Sequence, residues 1–183
     1  NITVSTPAEN FIKKNILMHN LKNYNHNRKY YGKGELKQFD HHNYFIKVYD
    51  KAKQFQLNEN ILRFEIKFIR PVEFQKMGIY CLEDLKDKSK LISLFKYLIK
   101  RFDELTIIDE FNSDMIGNEI DYNKLIKYIN PNFWNEELEN KSRQTKANYN
   151  KDFKRILIRY GLLKTKLYLR LQMINKFRFL LNN

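Results

Sequence analysis

Two stretches decide the reading of this chain: Asn43-Tyr44-Phe45-Ile46-Lys47-Val48-Tyr49-Asp50 and Leu62-Arg63-Phe64-Glu65-Ile66-Lys67-Phe68. In the second, Leu62, Phe64, Ile66 and Phe68 alternate strictly with Arg63, Glu65 and Lys67. Successive side chains of a strand point to opposite faces, so this alternation makes one face apolar and the other charged. In the first stretch Tyr44, Ile46 and Val48 share one face, and Phe45, Lys47 and Tyr49 share the other. Together they predict an antiparallel pair with one face on a core and the other toward water, helices or a ligand. The polar connection from Gln54 to Asn60 is longer than a tight hairpin but permits pairing.

Upstream, Asn1-Ile2-Thr3-Val4-Ser5 has strand-like alternation. A chain that opens within a strand is expected to be a piece of a longer protein, with a sheet partner upstream. Thr6-Pro7-Ala8-Glu9 reads as a helix start, with Thr6 as cap, Pro7 at the first helical position and Glu9 closing a capping box. Phe11, Ile12, Ile16 and Leu17 extend that helix through about Leu21. Residues 22–42 are polar and turn-rich, with Lys29-Tyr30-Tyr31 as a short strand entering a turn at Gly32 to Gly34.

Downstream, Pro71 ends the strand and opens a short helix through Lys76, and Gly78 breaks it. From Leu82, apolar residues such as Leu85, Leu91, Leu94, Phe95, Leu98 and Ile99 recur at helical spacing. The remainder reads as mostly helical, interrupted at Asn130-Pro131. Tyr149 to Leu181 predicts one or two basic amphipathic helices, broken at Gly161. The expected fold class is therefore α+β: an antiparallel sheet packed with helices, followed by a mostly helical C-terminal part. Residues 1–100 carry the strands, and residues 101–183 form the basic helical region.

Composition bounds the function. Hydrophobic residues make up 43% of 183, enough for a core and too many for a disordered chain. Five Gly and three Pro argue against a loop-rich all-β fold. Lys and Arg number 34 against 21 Asp and Glu, a net charge of +13, which favours a polyanionic partner such as nucleic acid. The abundance of Lys, Asn, Ile, Tyr and Phe together also fits an AT-rich coding sequence. The single cysteine, Cys81, excludes a disulfide within the chain and a zinc cluster of thiolates, and is expected to be an inert buried thiol. Apolar runs are too short to span a bilayer and no secretory signal opens the sequence, so an intracellular compartment is the default expectation.

The charged face has a chemical logic. A phenol with a pKa near ~10 is a weak nucleophile at neutral pH. Lys47 or Lys51 beside Tyr49 would favour the phenolate, and Glu65 could hold a hard divalent metal that polarises a phosphodiester. Taken singly, a strand tyrosine more often packs, and a glutamate between Arg63 and Lys67 is more often a solvated cross-strand partner. Asp40-His41-His42 offers two histidines as metal ligands, but adjacent residues point apart, and a loop is the commoner explanation. His19 is expected on a helix surface, and Trp134 beside Phe133 is expected to anchor a core.

Lys47-Val48-Tyr49-Asp50-Lys51 followed by Leu62-Arg63-Phe64-Glu65-Ile66-Lys67 resembles the replication-initiator endonucleases of filamentous phages, the gene II protein type. Plasmid rolling-circle initiators of the Rep_trans type carry similar blocks. Further blocks agree in order: Asn1 to Glu9 resembles the family's strand-to-helix passage, Tyr30-Tyr31-Gly32 a segment before the tyrosine strand, and Met77-Gly78-Ile79 with Leu82-Glu83-Asp84-Leu85 a segment after the glutamate strand. The resemblance covers roughly residues 1–100. It implies rolling-circle initiation: nicking one strand at an origin, holding the 5′ phosphate on Tyr49, and rejoining the ends with Mg or Mn. Glu65 would then be a metal-site residue and Lys51 a phosphate or phenolate partner. The family's "Arg-Ile-Asp" motif has no counterpart in this chain, so part of the metal site is expected to lie outside it.

The resemblance also implies a bacterial host cytoplasm, single-stranded or origin duplex DNA as partner together with host replication proteins, and no membrane. Lys47, Arg63 and Lys67 on the strands, and Lys154, Arg155 and Arg159 on the basic helices, are the candidate DNA-backbone contacts. A DNA-binding module without chemistry and a helical scaffold are the alternatives.

Overall fold

A computed structural model describes residues 1–4, 7–24 and 34–182 of the chain. In chain order the elements are β1 (Ile2–Thr3), α1 (Ala8–Lys14), β2 (Ile16–His19), β3 (Leu36–Asp40), β4 (Tyr44–Asp50), α2 (Lys51–Phe55) and β5 (Ile61–Phe68). They continue with α3 (Val72–Gln75), α4 (Lys88–Asp103), β6 (Leu105–Ile107), α5 (Ser113–Ile116), α6 (Glu119–Ile129), α7 (Arg143–Arg159) and α8 (Lys164–Asn182). The fold is α+β, with a four-stranded antiparallel sheet packed with helices and a helical C-terminal region. Strand order in that sheet is β1-β5-β4-β3, and β2 pairs with β6 separately.

The alternating pattern sets the central pairing. Tyr44 lies opposite Phe68, Ile46 opposite Ile66 and Val48 opposite Phe64 on the covered face. Phe45–Lys67, Lys47–Glu65 and Tyr49–Arg63 are the pairs of the other face. A slip of one residue would carry Ile46 and Val48, both essentially fully buried, to the wrong side. The covered face packs on Ile12 of α1, Ile99 and Phe102 of α4 and Leu169 of α8. The Phe64 ring meets Phe102 edge-on at 5.6 Å.

Several elements differ from the sequence reading, among them α2 and β6, and two of the differences shape the core. The first helix stops at Lys14 rather than Leu21, and Ile16–His19 is a strand against Leu105–Ile107. Ile16 and Leu17 fit a helical stripe, but Ile16, Met18 and His19 are all fully buried by strand pairing, and tertiary burial outweighs local spacing. Asn15 fixes the corner, donating from Nδ2 to the Ile108 carbonyl at 2.8 Å. The second is β3, which the sequence places among turns. Phe39 and Lys37 share its covered side, and the lysine hides the alternation. The Lys37 ammonium donates to the carbonyls of Lys13 at 3.1 Å and Ile16 at 2.5 Å. Burial pushes it down to about 8. The Thr6 cap, the Lys29–Tyr31 strand and His26 lie outside the described residues.

The helical region is not a separate body from the sheet. Position 100 falls within α4, β6 pairs back to β2, and Leu169 and Met173 of α8 enter the sheet's core. A second core gathers Leu125, Phe133, Trp134, Phe153 and Ile156, with Trp134 anchored as expected by Nε1 donating to the Tyr128 carbonyl at 2.8 Å. Gly161, at φ +62, turns α7 into α8 where the sequence placed a break. Cys81 is exposed, not buried, because it sits in the turn before a short 3-10 segment. Among the described residues, no helix is long and apolar enough to cross a membrane.

Candidate functional site

The open face of the sheet brings Tyr49, Arg63 and Glu65 together, as the alternation predicts. Tyr49 and Arg63 are register partners, and Glu65 lies opposite Lys47 one pair along. The Tyr49 hydroxyl donates to Glu65 Oε2 at 3.0 Å and accepts from Arg63 Nη1 at 3.1 Å. Arg63 Nε is also 3.8 Å from Glu65 Oε2. The phenol thus sits between a carboxylate and a guanidinium.

Its electrostatics differ from the expectation that nearby lysines favour a phenolate. Burial raises the Tyr49 phenol above its ordinary value, the Arg63 hydrogen bond acts the other way, and Glu65 adds to the rise. The resting hydroxyl therefore keeps its proton and points it at Glu65. The cation in contact is Arg63 rather than Lys47 or Lys51. Lys51 starts α2, with Nζ over the Phe55 ring at 3.4 Å and 3.3 Å from Gln54 Oε1. Desolvation, and next the Arg63 charge, lower its ammonium below the usual value, with Glu65 opposing. Lys51 is thus coupled to the site without touching the phenol. Lys47 is half-buried beside Glu65, and Lys67 is exposed opposite Phe45.

Glu65 is committed to Tyr49 and Arg63, and cations surround it. Among the described residues, no group of three His, Cys, Asp or Glu side chains is placed to hold a metal ion. Asp50 is taken as the cap of α2, accepting from the Lys53 amide at 2.9 Å. What the trio can do unaided is transfer a proton from phenol to carboxylate while a guanidinium faces incoming negative charge.

The histidines are placed differently from the reading. His19 is not on a helix surface: it belongs to β2 and is fully buried. His41 Nε2 lies 2.9 Å from His19 Nδ1, and His19 Nε2 lies 3.0 Å from the Arg101 carbonyl. His41 stacks on Tyr44 at 4.7 Å, and Arg101 faces the Tyr44 and Tyr97 rings while holding both Glu104 oxygens at 2.8 Å. Burial pushes His19 down to about 4. Sequence distance hid this cluster, whose members come from β2, the end of β3, β4 and α4. His42 is exposed and stands apart.

The helical candidates divide. Arg155 binds Asp152 at 2.7 Å and approaches Asp121 at 3.4 Å, and Arg159 binds Asp121 at 2.8 Å. Both hold α7 to α6 or to itself, although both stay about half exposed. Lys154 is exposed and makes no ion pair among the described residues.

No protein-family model, no curated protein and no solved structure matches this chain. The resemblance to rolling-circle initiators stands on its motif blocks alone.

Proposed function

We propose that this chain carries the nucleophile of a DNA strand-transfer protein, which nicks one strand at a replication origin and rejoins it through a phosphotyrosyl link at Tyr49. The observation that carries the reading is the Tyr49 hydroxyl held between Glu65 at 3.0 Å and Arg63 at 3.1 Å. In the forward step Oη of Tyr49 attacks the phosphorus of a scissile phosphodiester, and its proton passes to Glu65. The bond to the 3′ oxygen breaks, and that oxygen takes up a proton to leave as a 3′ hydroxyl. Arg63, with Lys47 and Lys51 nearby, faces the charge on the transferring phosphate. The reverse step uses a 3′ hydroxyl to displace Tyr49 and restores the diester, so no external energy source is needed.

Mg or Mn belongs to the activity that the resemblance implies. Glu65, already paired with Tyr49 and Arg63, would leave the other ligands of such an ion to come from outside the described residues, and the proton transfer does not require it. The same reading places the protein in a bacterial host cytoplasm, on single-stranded or origin duplex DNA, alongside host replication proteins.

A second reading is a basic nucleic-acid-binding face without chemistry. It is favoured by the burial of Tyr49, which is 7% exposed, and by a hydroxyl satisfied on both sides. One experiment separates the two. The full chain is incubated with a randomised single-stranded DNA pool labelled at its 3′ end, with Mg or Mn supplied. A denaturant-resistant adduct in the wild type, lost in Tyr49→Phe, supports strand transfer. An equal adduct in Tyr49→Phe, or salt-sensitive binding with no adduct in the wild type, overturns it.

A further inference from the structure

On the helical side of the molecule, away from the Tyr49 face, α4, α7 and α8 enclose a cleft of about 670 Å³. That volume suits a small ligand or a segment of a larger one. Ile99, Phe153 and Leu157 give it an apolar floor, and Lys96 and Lys100 from α4 line it together with Lys154 from α7.

The charge around the cleft is not self-compensating. Its two acids are already answered: Arg170 holds Asp103 at 2.8 and 3.2 Å, and Arg101 holds both Glu104 oxygens. Lys166, also in the wall, donates to the carbonyls of Asp103 at 2.7 Å and Leu105 at 2.6 Å. Lys96, Lys100 and Lys154 are exposed and make no ion pair among the described residues. Three free ammonium groups over an apolar floor fit a ligand that combines anionic and flat apolar parts.

The surface continues beyond the cleft. Asn150, Lys154 and Ile158 also line an adjoining groove along the outer face of α7, with Lys151, Arg155 and Arg159 beside them. Ile158 is 69% exposed among these cations. From Ala147 to Arg159 the helix advances about 18 Å at ~1.5 Å per residue, longer than a mononucleotide needs. Cations that track a backbone, interleaved with apolar platforms for bases, are the features of single-strand recognition. A duplex would leave the apolar floor unused, because its bases are stacked inside.

We propose that this cleft and its extension along α7 form a strand-holding site for single-stranded DNA: Lys96, Lys100 and Lys154 meet phosphates, and a base rests on the Ile99–Phe153–Leu157 floor. The site lies apart from Tyr49 and does not depend on the tyrosine chemistry.

The test is binding of a fluorescent oligothymidine to the full chain, titrated at several salt concentrations. The cleft variant is Lys100→Glu with Lys154→Glu. The control of equal charge change is Lys86→Glu with Lys141→Glu, two exposed positions outside the cleft. The cleft variant is expected to lose affinity about tenfold or more, and its salt slope to fall by about 1.4, since each single-strand phosphate contact contributes about 0.7. The control should lose much less. Equal losses in both pairs, no oligothymidine binding by the wild type, or thymidine triphosphate binding as tightly as the strand would each overturn the proposal. Lys100 and Lys154 make no ion pair among the described residues and Lys86 pairs only with Glu83 at the surface, so folding should persist in both variants, and melting curves check this. The neutral pair Lys100→Gln and Lys154→Gln should fall between wild type and the charge reversal. Oligothymidine binding without a Tyr49 adduct leaves this site standing while the strand-transfer reading fails. An adduct with binding undisturbed in the cleft variant does the reverse.

Discussion

Tyr49 and Glu65, two strand positions that are not register partners, meet diagonally across β4 and β5, with the phenol proton directed at Oε2 over 3.0 Å. Because burial raises the phenol above its usual value, proton removal cannot be left to solvent near neutrality. Glu65→Gln keeps the shape and removes the acceptor. Single-turnover adduct formation should slow by about 10²–10⁴-fold, the range of general-base catalysis. The residual rate should climb with pH, as hydroxide replaces the carboxylate, more steeply than in wild type. A wild-type rate in Glu65→Gln would remove Glu65 from the mechanism.

His19 predicts an acid limit for the fold. Its neighbours are His41, Arg101, Glu104 and Lys166, and its folded value is about 4 against an ordinary 6.5. Between those values the unfolded chain takes up a proton that the native state refuses. The stability contribution is therefore complete above 6.5 and is lost as pH falls toward 4. A depression of that size corresponds to about 3 kcal/mol. Urea midpoints should fall over this window, and His19→Gln should flatten the profile. An identical profile in the variant would assign the acid sensitivity to other groups.

The contrast between these two sites explains what could be read in advance. The β4–β5 pair was legible because each strand declares its faces by alternation, and the register then brings Tyr49, Glu65 and Arg63 together. Which cation touches the phenol was not legible, because Lys47, Lys51 and Arg63 are all near in sequence pattern and only side-chain direction separates them. The histidine pair was hidden twice. Ile16 and Leu17 mimic a continued helix, and Lys37 masks the strand that ends near His41. Asn15 after Lys13-Lys14 is a local sign of the helix end. On α7 the basic residues were plain, but the carboxylates that occupy Arg155 and Arg159 come in part from α6, which spacing along α7 does not reveal.

Gly34 supports the start of α2 by being small and left-handed. Its φ is +90, and an added Cβ would stand 2.9 Å from Lys53 Cβ and 3.2 Å from Asp50 Cβ. Asp50 caps α2 and Lys51 begins it. Gly34→Ala should therefore cost about 1–3 kcal/mol of stability from backbone strain, with the close contact adding to it. Thermal unfolding measures the loss, and an unchanged midpoint would show that the turn relaxes freely.

Asp121 makes a prediction in which stability and binding move in opposite directions. Its side chain is 7% exposed and accepts from Arg159 at 2.8 Å and Tyr160 at 3.1 Å, with Arg155 at 3.4 Å. Burial alone would raise its carboxyl; the Tyr160 and Arg159 hydrogen bonds outweigh it and hold the group below the usual range. Asp121→Asn removes the charge that ties α7 to α6 and should destabilise by about 1–3 kcal/mol. The same change releases Arg159 onto the groove beside Lys151 and Lys154 and loosens Arg155, which stays on Asp152 at 2.7 Å. Oligothymidine affinity should then rise, with a steeper salt dependence, because a cation formerly neutralised within the protein becomes available to phosphate. If affinity falls together with stability, the arginines act only as struts between the helices, and the α7 face holds a strand with its lysines alone.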